Sequence, residues 1–372
     1  MKGYLVLADG KKFEGELFGS KKDTQGEVVF TTAMVGYEQT LTDPSFQGQI
    51  LTFTYPMIGN YGVPSEERDE YGILKYFESE KISVQGVVVC EYSTNFSHYR
   101  AEKSFTQWLE NKNISGISGV DTRALTQYLR DNGSQMGQIV SDQNFKQANN
   151  TISFKENSND KNLVAEVSTL EIKKYTPKTP IAKIAVFDFG IKLNIIREFL
   201  KRDIEVVLLP WNSDITTDAL QSEKFDGLFF SNGPGNPETI ANTVTKNILF
   251  ALENNIPLWG ICLGNQLLSL AIGGKTKKMK FGNRGANVPC KDTDTGRCFI
   301  TSQNHGYEVD GDSLPKGWKV SWFNLNDNTV EGIKHESLPA NSVQFHPESY
   351  PGPEDANILF DDFITTVLQY KK

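Results

Sequence analysis

The stretch LWGICLGNQLLSLAI, residues Leu258–Ile272, passes from an apolar run into a leucine-rich segment of helical spacing and carries a cysteine at the join. Leu258 to Ile261 reads as a short buried strand, and Asn265 to Ile272 resumes the three-to-four residue period of a helix. Cys262 therefore sits on a tight strand-to-helix turn, where Gly260 and Gly264 remove side chains that would clash. This is the geometry of a nucleophile elbow, with a thiol in place of the serine hydroxyl. The adjoining helix N-terminus favours thiolate over thiol, and the N–H of Leu263 is placed to bind an oxyanion. A buried, inert thiol on a structural turn fits the same seven residues, Gly260 to Gln266, so both readings stand at this point.

Outward from this turn, β and α patterns alternate. Ile181 to Phe187, Ile204 to Leu209, Phe225 to Phe230 and Pro257 to Ile261 read as apolar strands, with helical spacing at Lys192 to Lys201 and Thr239 to Glu253. Apolar strands separated by amphipathic helices predict an α/β fold with a mostly parallel, doubly wound sheet covered on both faces. Ligands then belong at the carboxyl ends of its strands. RCFITSQ, WKVSWFN, TVEGIKH and NSVQFH make the remainder strand-rich, and a closing helix is expected from Asp355 to Tyr370.

The first half reads differently. YLVLADGKKFEGELFG alternates apolar and polar residues around Asp9-Gly10, a hairpin signal, and further strand-like pieces precede helices expected at Glu102 to Asn111 and Thr122 to Asp131. Asp121 is a candidate N-cap for the second helix, and Gly133 stands just past its end. A polar Asn/Ser/Lys-rich stretch with two prolines follows. The division predicted is a strand-rich mixed α/β N-terminal domain at 1–146, a linker at 147–180 and a catalytic α/β domain at 181–372.

Composition narrows the function classes. Lys plus Arg total 38 against 46 for Asp plus Glu, and a net charge of −8 argues against a general binder of nucleic acid or anionic membrane. No run approaches the roughly 18 apolar residues of a membrane span, and the first residues carry no secretory signal, so a cytoplasmic location is expected. The cysteines, Cys90, Cys262, Cys290 and Cys298, form no CxxC pair, and the histidines are His98, His305, His335 and His346. Neither a disulfide scaffold nor a metal site is expected from them.

A thiolate that transfers acyl groups needs a base held by a third group. His346-Pro347-Glu348 offers one: on an extended segment residues i and i+2 share a face, so the carboxylate holds one imidazole nitrogen while the other faces the thiol. A strand-end histidine with a solvated neighbour fits the same residues. Ser231-Asn232-Gly233-Pro234-Gly235 ends a buried strand in a loop whose backbone can approach a ligand, with Gly233 as a second oxyanion donor. Gln303-Asn304-His305-Gly306-Tyr307 also follows a strand, but His305 has no carboxylate at i+2 and ranks below His346 as the base.

Together, G-x-C-x-G-x-Q at Gly260–Gln266 and H-P-E at His346–Glu348 resemble the class I, or triad-type, glutamine amidotransferases. SNGPG, KMKFG, QNHGY and the N-terminal TAMVGYEQTLTDPSFQGQI look like the small, glutamine-hydrolysing subunit of carbamoyl phosphate synthetase, across nearly the whole chain. The resemblance implies Cys262 as nucleophile, His346 as base oriented by Glu348, and Gly233 and Leu263 as the oxyanion hole. Ser45, Gly233, Gly235, Leu263, Gln266, Asn304, Gly306 and Tyr307 would grip L-glutamine. Ammonia would pass to a large synthetase subunit, in a heterodimeric ligase that makes carbamoyl phosphate for arginine or pyrimidine synthesis. ATP and Mg would belong to that partner, with no cofactor or metal in this chain. Where relatives often read G-x-C-L-G-H-Q and F-G-H-x-G-x-N-H-P, this chain has Asn265, Asn283 and Val288. The competing readings are the glutaminase subunit of another biosynthetic pathway, a non-catalytic regulatory paralogue, and an unrelated cysteine hydrolase.

Overall fold

A computed structural model describes residues 1–148, 151–154 and 161–371. The chain divides into two compact units, Met1–Lys161 and Asn162–Lys372. Part of the predicted 147–180 linker, residues 149–150 and 155–160, lies outside the described residues.

The first unit is built on a closed barrel. Its strands are β1 (Lys2–Leu7), β2 (Lys12–Gly19), β3 (Thr24–Thr31), β4 (Gln49–Phe53), β5 (Gly86–Val88), β6 (Ser115–Ser118) and β7 (Gln135–Ser141), in the order β1-β7-β3-β4-β5-β6-β2. β1 and β2 form the expected hairpin: Gly10 takes φ 89° and the Asp9 carboxylate accepts the N–H of Lys11 at 2.9 Å. Closure depends on β1 pairing with β7, where Gly3 faces Ser141, a long-range match that local patterning does not reveal. Helix α1 (Phe105–Asn111) begins three residues later than expected because Ala101–Lys103 is a short strand and Ser104 and Gln107 form a capping box. Helix α2 (Thr122–Asn132) is capped by Asp121, which accepts the N–H of Ala124, and ends at Gly133. Ser45 lies in a one-turn 3-10 helix, Pro44–Phe46, and its N–H donates to the Asp43 carboxylate at 2.9 Å.

The second unit carries one wide sheet: β8 (Lys173–Tyr175), β9 (Ala182–Asp188), β10 (Ile204–Pro210), β11 (Gly227–Phe230), β12 (Leu258–Ile261), β13 (Thr276–Asp292), β14 (Cys298–Val309), β15 (Trp318–Asn324), β16 (Val330–His335) and β17 (Ala340–Val343). The order is β8-β10-β9-β11-β12-β17-β16-β14-β13-β15. Its helices are α3 (Leu193–Leu200), α4 (Glu238–Glu253), α5 (Leu263–Ala271) and α6 (Ile358–Tyr370), besides shorter turns.

β10, β9, β11, β12 and β17 run parallel. The sheet as a whole is mixed rather than mostly parallel, because β8 joins one edge antiparallel and β16, β14, β13 and β15 extend the other antiparallel. The physical reason is connection length: β13 turns into β14 across Asp292–Arg297, and β15 into β16 across a similarly short loop, whereas a parallel pair needs a crossover of a dozen or more residues. β8 arises inside the stretch read as linker.

The parallel strands are covered on both faces. Phe230 packs with Phe187, Val244, Ile248, Leu263 and Leu267, which places α4 and α5 on one side. Its neighbour Phe229, pointing the other way, packs against Phe199 of α3 and Phe363 of α6. The loops after β9, β11, β12 and β17 therefore share one edge, the carboxyl edge.

Candidate active site

Cys262 connects β12 directly to α5 and takes φ 55°, ψ −101°, a conformation rare for a residue with a side chain. Its surroundings hold it there: Cys262 N–H donates to Val343 O at 2.8 Å, Gly264 N–H to Ser231 O at 3.1 Å, and Gln266 N–H to Cys262 O at 3.2 Å. The flanking glycines are required by packing. A Cβ on Gly264 would lie 2.1 Å from the carbonyl oxygen of Phe230, and one on Gly260 would lie 2.6 Å from the carbonyl carbon of Gly264. The thiol is buried, with Sγ 3.6 Å from the carbonyl oxygen of Asn304.

His346 and Glu348 lie beyond the end of β17, and both are buried. Nδ1 of His346 meets Oε1 of Glu348 at 2.6 Å. The extended geometry expected of this segment is absent, since Pro347 and Glu348 form a turn and His346 makes an isolated bridge to Ser302. The pair meets because the turn folds the carboxylate back under the ring. With Nδ1 committed to Glu348, Nε2 closes no hydrogen bond among the described residues. Burial opposes charge on the ring, but the Glu348 carboxylate and the adjacent Cys262 outweigh it and raise its proton affinity above the ordinary value. The ring therefore holds a proton more tightly than an ordinary imidazole, with Cys262 beside it.

Glu348 has a partner that sequence reasoning missed. Lys192 Nζ, also buried, lies 3.0 Å from its Oε1 and donates to the carbonyl oxygen of Ser349. Burial raises the Glu348 pKa, yet Lys192 and His346 together hold it well below the usual carboxylate range. The loop after β9 delivers Lys192: Asp188 Oδ1 accepts the N–H groups of Gly190 and Ile191 at 2.9 Å each, and Asn232 Oδ1 accepts that of Lys192 at 3.1 Å. Position at the carboxyl end of the first parallel strand was the available signal.

The other predicted residues divide. Gly233 and Gly235 follow β11, and a Cβ on Gly233 would lie 2.2 Å from the carbonyl oxygen of Phe189, so that position admits only glycine. Neither Gly233 N–H nor Leu263 N–H, the first of α5, has an acceptor among the described residues. Gln266 donates from Nε2 to the carbonyl oxygen of Tyr307 at 3.0 Å, which joins α5 to the Asn304–Gly306–Tyr307 stretch of β14. Ser45 belongs to the first unit. His305 is fully enclosed, with Nδ1 2.8 Å from Tyr307 O and Nε2 2.8 Å from Gln303 Oε1, so neither nitrogen is left to serve as base. Asn265 is buried and bonds to Ser342 and Gln344, Asn283 reaches Asp327 at 3.0 Å, and Val288 pairs with Thr301. All four cysteines are free, and among the described residues no three His, Cys, Asp or Glu side chains are grouped to hold a metal. No helix among them is long and apolar enough to cross a membrane.

Two family models match the chain, one in each unit: "Carbamoyl-phosphate synthase small chain, CPSase domain" over residues 5–139 and "Glutamine amidotransferase class-I" over 185–366. The carbamoyl phosphate synthase arginine-specific small chain of Saccharomyces cerevisiae is 47% identical over 378 residues, covering 100% of this chain and 90% of that one. The chain belongs to the carbamoyl phosphate synthase small-chain family. The Aspergillus niger protein of the same name is 45% identical, covering 99% of this chain and 80% of its own length. Another relative is the multifunctional protein URA2 of Saccharomyces cerevisiae, 45% identical over 99% of this chain. This small chain spans only 18% of that protein's length.

Proposed function

We propose that this chain hydrolyses L-glutamine as the small subunit of a cytoplasmic, glutamine-dependent carbamoyl phosphate synthetase, and delivers the ammonia to a large synthetase subunit. The observation that carries the proposal is the gathering of Cys262, His346 and Glu348 at the carboxyl ends of β12 and β17, inside the stretch that matches the class-I amidotransferase family.

The Cys262 thiol gives its proton to Nε2 of His346, and the thiolate attacks the side-chain amide carbon of glutamine. The amide oxygen becomes an oxyanion, taken by the N–H groups of Gly233 and Leu263. The imidazolium, held by Glu348, returns the proton to the amide nitrogen as the carbon–nitrogen bond breaks, leaving ammonia and a Cys262 thioester. His346 then takes a proton from water as it attacks the thioester, and glutamate departs as the thiol reforms. Lys192 keeps Glu348 ionised throughout. Within the second unit, the glutamine contacts in this reading are Gly233, Gly235, Leu263, Gln266, Asn304, Gly306 and Tyr307. ATP and Mg act on the large subunit, which joins ammonia to bicarbonate.

The test measures glutamate release and carbamoyl phosphate formation with and without a large synthetase subunit, for wild type and Cys262→Ala. Wild type should release glutamate, and the Cys262→Ala complex should make carbamoyl phosphate from ammonia but not from glutamine. No glutamate from the wild-type complex, or equal loss of both nitrogen sources in the variant, would overturn the proposal.

A further inference from the structure

Gln344 lies two residues before His346 and is wholly enclosed. Its Oε1 accepts from Nδ2 of Asn265 and from Nε2 of Gln266, each at 3.1 Å. Ser342 Oγ in turn donates to Oδ1 of Asn265 at 2.8 Å.

The polarity of this file follows from one fixed group. Tyr307 contributes a backbone carbonyl, which only accepts, so the group of Gln266 facing it at 3.0 Å must be the NH2. Gln344 must then present oxygen to that NH2, Asn265 must present its own NH2 to the same oxygen, and its oxygen turns to Ser342. Both hydrogens of Gln266 Nε2 are thereby committed, and Oε1 is the polar atom of that side chain left without a donor among the described residues. Gln344 itself keeps a buried NH2 with no hydrogen-bond partner among the described residues. Burying an unsatisfied donor is unfavourable, and an apolar side chain of the same length would avoid it. The side chain therefore contributes through its oxygen.

We infer that Gln344 is a positioning residue for substrate: its carbonyl oxygen locks the amide of Gln266 so that Gln266 meets a hydrogen-bond donor of glutamine with oxygen rather than nitrogen. This rests on the reading of Gln266 as a glutamine contact. It also gives the buried Asn265 a use, as the link between Gln344 and Ser342. A neutral imidazole, like an amide, offers one donor towards Gln344 and one acceptor towards Ser342.

The experiment uses the complex with a large subunit and records KM for glutamine, kcat for glutamate release, and carbamoyl phosphate synthesis from ammonia. Gln344→Met keeps the length and removes the acceptor; it should raise KM about tenfold, the loss of about one hydrogen bond, while kcat and ammonia-dependent synthesis change little. Asn265→His should keep KM near wild type and Asn265→Leu should raise it. Gln266→Ala with Gln344→Met should bind glutamine no worse than Gln266→Ala alone, since one residue acts through the other. An unchanged KM in Gln344→Met, additive losses in the double variant, or a fall in ammonia-dependent synthesis that parallels the KM effect would overturn the inference alone. A wild-type complex that releases no glutamate overturns the proposed function and this inference with it.

Discussion

The second unit contains two buried histidines, each beside a buried glutamate, and the two pairs are tuned in opposite directions. At the end of β17, Glu348 is held ionised, at about 2, and His346 is raised; in β14 and β16, burial pushes Glu331 up to about 8 and His305 down to about 4. Burial is the largest influence in all four, so burial alone does not separate them. The difference is the third partner. Glu348 has the ammonium of Lys192 at 3.0 Å, whereas Glu331 is met by neutral donors, Gln303 Nε2 at 2.9 Å and Asn324 Nδ2 at 3.4 Å, with the Asp327 charge opposing its ionisation. Geometry separates the rings as well. His346 touches its carboxylate directly and leaves Nε2 open, while His305 stands 3.8 Å from Glu331 with Nδ1 2.8 Å from the carbonyl oxygen of Tyr307 and Nε2 2.8 Å from the side-chain amide of Gln303. One pair leaves an imidazole nitrogen open beside a thiol; the other is a neutral interior network.

The largest effect that sharpens this contrast is on rate. His346→Asn should lower glutamate release by about 10²–10⁴-fold, whereas His305→Asn should stay within about tenfold of wild type and lose stability instead. Steady-state glutamate release and thermal melting of both variants check this, and matching rate losses would erase the distinction. Glu348→Gln leaves the buried Lys192 ammonium without its carboxylate and should cost about 3–5 kcal/mol in urea unfolding at neutral pH.

Glu331→Gln probes the other pair through pH. The raised pKa of Glu331 means the folded state keeps a proton that the unfolded state releases, so its contribution is full below about 4.5 and lost as pH rises to about 8. Urea unfolding from pH 4.5 to 8 should therefore show wild type losing stability relative to Glu331→Gln by up to about 1.4 kcal/mol per pH unit. Glu348 has the opposite sign, its contribution being full above about 4.5 and lost as pH falls to about 2. The smallest effect is expected at Asn283, whose bond to Asp327 lies near the surface: Asn283→Ala should shift stability by less than about 0.5 kcal/mol, read in the same unfolding assay.

Much of this was legible in the residues. The turn at Cys262 was readable because strand, glycines and helix are contiguous, and the structure supplies the contact that requires each glycine, Phe230 O for Gly264 and the Gly264 backbone for Gly260. The pairing of His346 with Glu348 was also readable, although the extended segment invoked for it is a turn. Lys192 was not, because its role depends on a contact with a residue 156 positions away that no local period encodes. Gln344 lay inside the strand-like stretch NSVQFH, but only the amide of Gln266, 78 residues earlier, gives it a use.

The sequence by itself determined the local geometry: where strands and helices run, which cysteine stands on the elbow, and which carboxylate is within reach of the histidine. It did so because these features depend on residues a few positions apart, through backbone sterics and side-chain period. Only the tertiary structure decided the closed barrel of the first unit, the antiparallel half of the second sheet, and the opposite charge tuning of the two histidine–glutamate pairs. Those depend on which distant groups share a low-dielectric interior, where one ammonium placed beside a carboxylate changes the charge state of an entire pair.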